Sequence, residues 1–166
     1  MSRTFSESFA IIRRMVEESR LKDMAELFTA LSDTTRLRIL NLMREDEICV
    51  CFFSEALGES QPKISRHLAM LRKAGLVEAR RDGKWMHYSI SFPEDEEKAG
   101  VLRRTLEWLW SSERMRDDYA KLEEVCCAVN PPITIARAPK PEVIVEREAA
   151  APVEYYEEEE METYLL

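Results

Sequence analysis

The chain has 166 residues, 45% of them apolar, with 24 Lys and Arg against 32 Asp and Glu for a net charge of −8. That length suits one compact domain plus a tail and leaves little room for a second domain. No apolar run approaches the roughly 20 residues of a membrane span, and the start is polar without a signal-like apolar stretch, so a cytoplasmic protein with no membrane partner is expected.

Phe5, Phe9, Ile12 and Val16 recur at helical spacing, and Met24, Leu27, Phe28 and Leu31 do so again after a polar break, which predicts two opening helices. Ser32 and Asp33 offer N-cap oxygens for a third helix with Leu37, Ile39, Leu40, Leu42 and Met43 as its apolar positions. A short helix over 49–57 ends at Gly58. Ser60 then caps another, which carries Pro62 in its first turn and runs to about residue 74 before stopping at Gly75. The pattern next shortens to two β-prone segments, 76–80 and 85–90, around Arg81-Asp82-Gly83-Lys84, where Asp-Gly signals a hairpin with positive φ at both central positions. Leu102, Leu106 and Leu109, then Met115, Tyr119, Leu122, Cys126 and Val129, mark one long helix or two consecutive ones. Beyond Val129 lie five of the seven prolines, no glycine, and four glutamates after Tyr155-Tyr156. Residues 131–166 are therefore expected to be a disordered acidic tail, distinct from a body over 1–130.

The acidity is unevenly placed. Residues 131–166 hold nine acidic and three basic residues, whereas 60–92 carry seven basic residues against only Glu78 and Asp82. On a helical wheel for 61–73, Ile64, Leu68 and Leu71 fall on one side and Pro62, Arg66, Ala69 and Lys73 opposite, with Gln61 and Ser65 on one margin and Lys63 on the other. Amide, hydroxyl and cationic groups in the first turns of a helix suit base edges and phosphates in a major groove. Arg80, Arg81 and Lys84 beside the hairpin turn suit backbone phosphates or the minor groove. Ser60, Gln61, Lys63, Ser65, Arg66, His67, Arg80, Arg81 and Lys84 are thus the candidate contacts to double-stranded DNA.

The four cysteines form two close pairs, Cys49 with Cys51 and Cys126 with Cys127. In a reducing compartment these are poor material for structural disulfides, which points to metal or redox chemistry. On a regular helix, residues two apart point about 200° from each other, so Cys49 and Cys51 can grip one ion only where that turn unwinds or is already frayed. Thiolate donors select soft ions. His67 and His87 read as DNA-contacting or packing residues rather than ligands. An enzyme is poorly supported: there is no phosphate-binding glycine loop, no histidine beside the cysteines and no clustered acid–base set, and no resident cofactor is expected.

The run Leu31-Ser32-Asp33-Thr34-Thr35-Arg36-Leu37-Arg38-Ile39-Leu40, the segment Glu47-Ile48-Cys49-Val50-Cys51, and Ser60-Gln61-Pro62-Lys63-Ile64-Ser65-Arg66-His67-Leu68 with Leu71-Arg72-Lys73-Ala74-Gly75-Leu76-Val77 closely resemble the ArsR/SmtB family of metal-sensing repressors. Arg81-Asp82-Gly83-Lys84-Trp85-Met86-His87-Tyr88 is similar to the family's wing. The resemblance covers roughly residues 20–110. It implies a mostly α, winged helix-turn-helix fold with a small β-hairpin wing, a homodimer paired through the first and last helices, a palindromic operator, and derepression by an inducer. Cys-Val-Cys at this place resembles the arsenite and antimonite signature of the ArsR branch, which implies As(III) or Sb(III) as inducer. Cd(II) or Pb(II) at a sulfur-rich site, or a cysteine redox switch, are the alternatives. Members whose site is confined to this helix carry a third cysteine where this chain has Ser54, so Cys126 or Cys127 is expected to supply the third thiolate and all four cysteines are candidate ligands. Zinc or nickel members usually use His and carboxylates on the last helix, and residues 103–129 contain no histidine.

Overall fold

The computed structural model describes residues 5–44 and 46–150. Among these described residues seven helices and three short strands follow in the order α1 (Phe5–Leu31), α2 (Thr34–Leu42), β1 (Ile48–Cys49), α3 (Val50–Leu57), α4 (Gln61–Lys73), β2 (Val77–Asp82), β3 (Trp85–Ile90), α5 (Glu96–Ser111), α6 (Glu113–Cys127) and α7 (Glu142–Ala150). No helix among the described residues is long and apolar enough to cross a membrane.

The two opening helices expected from the apolar spacing are one continuous helix of 27 residues. The polar stretch between them contains neither proline nor glycine, so the backbone has no reason to break, and the polar side chains simply face water. At the end of α1 the chain turns through Ser32, and Asp33 caps α2 by accepting the Arg36 N–H at 2.9 Å. Gly58, with φ of 66°, ends α3 in the left-handed conformation that favours glycine and permits the tight turn into α4. Pro62 sits in the first turn of α4, where its missing N–H leaves no gap in the hydrogen-bond ladder.

Ile64, Leu68 and Leu71, the apolar side of α4, are fully buried against Phe52 and Phe53 of α3, Ile39, Leu40 and Leu42 of α2, and Leu102 and Leu122 of α5 and α6 in one core. Burying each such side chain contributes about 1.5–3 kcal/mol. Ser112 is extended (φ −78°, ψ 131°) and divides the last helical stretch into α5 and α6. This break lets α5 pack on α2 while α6 lies across both α2 and α3.

The sheet runs β1-β3-β2 and is antiparallel throughout. Asp82 pairs with Trp85, so the hairpin loop is Gly83-Lys84 rather than one centred on Asp-Gly. Gly83 has φ of 57° and no non-glycine residue among those described has positive φ, so only the first central position is left-handed. That is the pattern of a type II′ turn, not type I′. Strand β1 has no counterpart in the apolar periodicity: two residues are too few to show alternation, yet Ile48 pairs with Tyr88 and Cys49 with His87.

Residues 131–150 also depart from the expected disorder. Ile135 and Ile144 are buried in the common core, at 3% exposure each, and Glu142–Ala150 is helical. The Thr134 hydroxyl donates to Glu55 Oε1 at 2.6 Å, and the Val143 N–H donates to Asp46 Oδ2 at 2.9 Å. The prolines punctuate this segment without preventing its few apolar side chains from docking. The glutamate run after Tyr155-Tyr156 lies outside the described residues.

Candidate thiol site and nucleic-acid interface

Cys49 is the residue before α3. Its backbone is extended (φ −67°, ψ 141°) because it still belongs to β1, and the helix starts only at Val50. The two cysteines therefore do not lie on one regular helix, and the opposition of side chains two apart does not arise. The Cys51 thiol donates to Cys49 Sγ at 3.0 Å, with both residues buried, and the helix stays intact. None of the four cysteines is in a disulfide.

That hydrogen bond from Cys51 is the main reason the Cys49 thiol falls to about 7, against the opposing cost of burial; the N–H groups of Cys51, Met86 and Val50 add to the effect. A strand end, a helix N-terminus and the neighbouring strand β3 thus form a nest of donors around one sulfur. Cys51 moves the opposite way, since its proton is held by Cys49 and burial resists a second negative charge.

Cys126 is buried on α6 and Cys127 is exposed. Burial, with the neighbouring Cys127, pushes the Cys126 thiol up to about 12. Among the described residues no three His, Cys, Asp or Glu side chains are grouped so as to hold a metal ion, so neither residue is brought to the Cys49 and Cys51 pair. Cys126 instead belongs to the apolar core beside Leu122.

On α4, Arg66 is exposed opposite Ile64, Leu68 and Leu71, Gln61 and Ser65 are exposed on the margin of that outward face, and Ser60 is at the N-cap. Lys63 is ion-paired with Glu59 at 2.7 Å. His67 does not share that outward face: its ring is only 17% exposed and Nδ1 stands 3.3 Å from Asp33, joining α4 to the start of α2. On the wing, Arg80 Nε pairs with Glu47 at 3.0 Å, Arg81 Nε donates to the Gly83 carbonyl at 3.0 Å, and the Lys84 ammonium lies 4.7 Å from the centre of the Trp85 ring.

Sequence alone reads His87 as a DNA-contacting or packing residue and Ser54 as the place of an absent third cysteine, and does not show their surroundings. His87, opposite Cys49 in the ladder, is buried, and its Nε2 has no hydrogen-bond partner. Ser54 Oγ is likewise buried without a partner. The Met86 N–H reaches Cys49 only because β1 exists, which no periodic signal announced. The arrangement is that of an amphipathic basic helix and a basic wing packed around a thiol pair.

Comparison with known proteins identifies a family. The family model described as bacterial regulatory protein, arsR family, matches residues 33–79. The arsenical resistance operon repressor of Escherichia coli (strain K12) is 55% identical over 67 residues, 40% of this chain and 57% of that repressor, so the chain spans little more than half of that relative's length. The arsenic resistance transcriptional regulator ArsR2 of Pseudomonas putida is 38% identical over 111 residues, 61% of this chain and 96% of that protein. A homodimeric winged helix-turn-helix DNA-binding domain from Mycobacterium bovis, solved in solution, is 29% identical with a TM-score of 0.49, covering 58% of this chain and 86% of that one. With a basic helix, a β-hairpin wing, a matching family model and a relative matched over 96% of its length, the chain belongs to the ArsR family of bacterial transcriptional repressors, which are regulators and not enzymes.

Proposed function

We propose that this repressor binds its operator as a homodimer in the cytoplasm and is released when trivalent arsenic or antimony is captured by Cys49 and Cys51. The observation that carries this reading is the 3.0 Å separation of two buried sulfurs at the start of α3, the first helix of the helix-turn-helix. Paired sulfur donors suit soft, thiophilic acceptors, and a thiol held near 7 supplies a thiolate at neutral pH. The likeness to arsenic-resistance regulators supports the same inducer. Cd(II) and Pb(II) also accept sulfur-rich sites. A third thiolate from Cys126 or Cys127 requires α6 to shift, or a donor from elsewhere.

In this reading residues 1–130 hold the DNA-binding and pairing functions, and the segment after them braces the body. Ser60, Gln61, Ser65 and Arg66 meet the major groove, while Arg81 and Lys84 meet backbone phosphates. Lys63 and Arg80 join them by exchanging Glu59 and Glu47 for phosphate. His67 supports α4 from behind. Dimerisation is supported by the exposed apolar stripe of α1, where Phe9, Ile12 and Val16 are 60%, 58% and 52% exposed, and by Trp108 of α5 at 79%. Such continuous apolar exposure on a single chain marks an interaction surface.

The test is a fluorescence-anisotropy titration of reduced protein on its own promoter DNA, with arsenite added to wild type and to Cys49→Ser/Cys51→Ser. Release of wild type alone is expected; no response from wild type removes arsenic as the inducer. The same sulfur pair favours a second reading, in which peroxide accepts two electrons and two protons from the thiols, leaving a Cys49–Cys51 disulfide and two waters. Release by peroxide without added metal, reversed by a reductant, distinguishes it.

A further inference from the structure

α4 carries the candidate base contacts and α1 the exposed apolar stripe read above as the pairing face, so the angle between these helices decides where the two reading heads of a dimer stand. On a palindromic operator such heads address half-sites about one helical turn, roughly 34–36 Å, apart, and one base pair adds only about 3.4 Å. Leu27 and Ala30 tie α1 into the common core, but apolar packing has no direction. Between the two helices lies an open cavity of about 270 Å³, with Lys22, Glu26 and Thr29 of α1 on one side and Met70, Lys73 and Ala74 of α4 on the other.

Directional contacts cross from α4 to α1 by way of the start of α2. His67 Nδ1 stands 3.3 Å from Asp33 Oδ1, with the imidazole 17% exposed. The same oxygen accepts the Arg36 N–H at 2.9 Å. The Arg36 guanidinium, 11% exposed, donates through Nε to the Ala30 carbonyl at 2.5 Å and through Nη2 to the Thr29 carbonyl at 2.6 Å. Those carbonyls lie in the last turn of α1, where a helix leaves its acceptors unpaired and its dipole favours a cation. Imidazole, carboxylate, guanidinium and helix end therefore make one polar chain, and contacts with charged groups are short and strict in geometry. We infer that His67 is a positioning residue for operator recognition: through Asp33 and Arg36 it sets α4 against α1, and with it the half-site spacing that the dimer accepts. The inference rests on the homodimeric operator binding proposed above and adds a residue that tunes its specificity without touching a base.

The test is fluorescence anisotropy of the reduced full chain on three duplexes: its own promoter operator, the same operator with one base pair inserted between the half-sites, and a scrambled sequence. Wild type should favour the promoter spacing by about tenfold or more, because the insertion sets one reading head over the wrong bases. His67→Ala should lose about tenfold on the promoter duplex and less than about twofold on the other two, so that the preference for spacing collapses. Asp33→Ser keeps an N-cap oxygen for α2 but withdraws the carboxylate from His67; it should give the same result, and it decides alone if His67→Ala does not fold. A spacing preference that survives in either folded variant overturns the inference. Equal loss on all three duplexes also overturns it, being the mark of a lost phosphate contact or a smaller folded fraction. Wild type indifferent to the spacing overturns homodimeric operator reading and this inference together.

Discussion

Arg38 of α2 grips Asp118 of α6 through two parallel hydrogen bonds, Nε to Oδ2 at 2.6 Å and Nη2 to Oδ1 at 2.7 Å, across 80 residues of sequence. Asp118 is nearly buried, its side chain 7% exposed, and Arg38 is 18% exposed. The Asp118 bond is the main cause that raises the Arg38 guanidinium above its ordinary value. Asp118→Ala leaves a guanidinium largely out of water without its partner, and should destabilise the fold by about 2–4 kcal/mol. Urea unfolding measures this. A loss below about 0.5 kcal/mol, the scale of an exposed pair, would show that the pair does not hold α6 on α2.

The opposite shifts of Cys49 and Cys51 contribute a pH dependence of stability in the thiol range. In a Cys126→Ala/Cys127→Ala background, the folded pair loses one proton near pH 7 and holds the second far into alkali, whereas both unfolded thiols ionise near the ordinary value of about 8.5. Between these pH values the unfolded chain binds more protons, so stability rises with pH; above about 8.5 it binds fewer, and stability falls. The thiol contribution should peak near the ordinary thiol value. Cys51→Ala should raise the Cys49 midpoint, because its main donor is gone, and remove the part of the alkaline decline that Cys51 contributes. Thiolate absorbance and Tm against pH read both effects; a Cys49 midpoint unmoved in Cys51→Ala would mean that the backbone N–H groups alone lower it.

Arg66 and Lys84 occupy different parts of the DNA-reading surface. Arg66→Ala, on the outward face of α4, should weaken operator binding and relax base preference. Lys84→Ala, in the wing turn, should weaken binding across sequences and reduce the slope of log affinity against log salt by about one. Anisotropy on operator and scrambled duplexes at several salt concentrations separates them. Equal loss of discrimination in both variants would contradict this division.

Ile144 tests the C-terminal segment. It is buried at 3% exposure, and Ile144→Ala should cost about 2–4 kcal/mol, whereas an unstructured tail would tolerate it at no cost. Urea unfolding again decides.

The helix-turn-helix was legible because local rules agreed with the tertiary environment. Ile64, Leu68 and Leu71 share a wheel face and are all buried, and Gly58, Gly75 and Gly83 all adopt the positive φ that their chain-reversing positions require. Where local and non-local signals differed, the sequence was less informative. Cys49 belongs to a strand only two residues long, formed because His87 is there to pair with it, and no pattern within residues 48–51 carries that information. His67 sits near the margin of the α4 wheel, and only the neighbouring Asp33 draws it inward. Ile135 and Ile144 are isolated among prolines and charges, so composition outweighed two side chains whose burial depends on the distant α3 and α6.

Burial of Ile135 and Ile144 also bears on the order in which the protein comes into being. Chains leave the ribosome N-terminus first, at about 5–20 residues per second. When α6 has just emerged, the surface these two isoleucines will cover is still open to water, and Asp46 still lacks the Val143 N–H. Tertiary closure around the thiol-bearing helix therefore waits for residues 135–144, and a chain cut short before residue 135 leaves an apolar flank open to water.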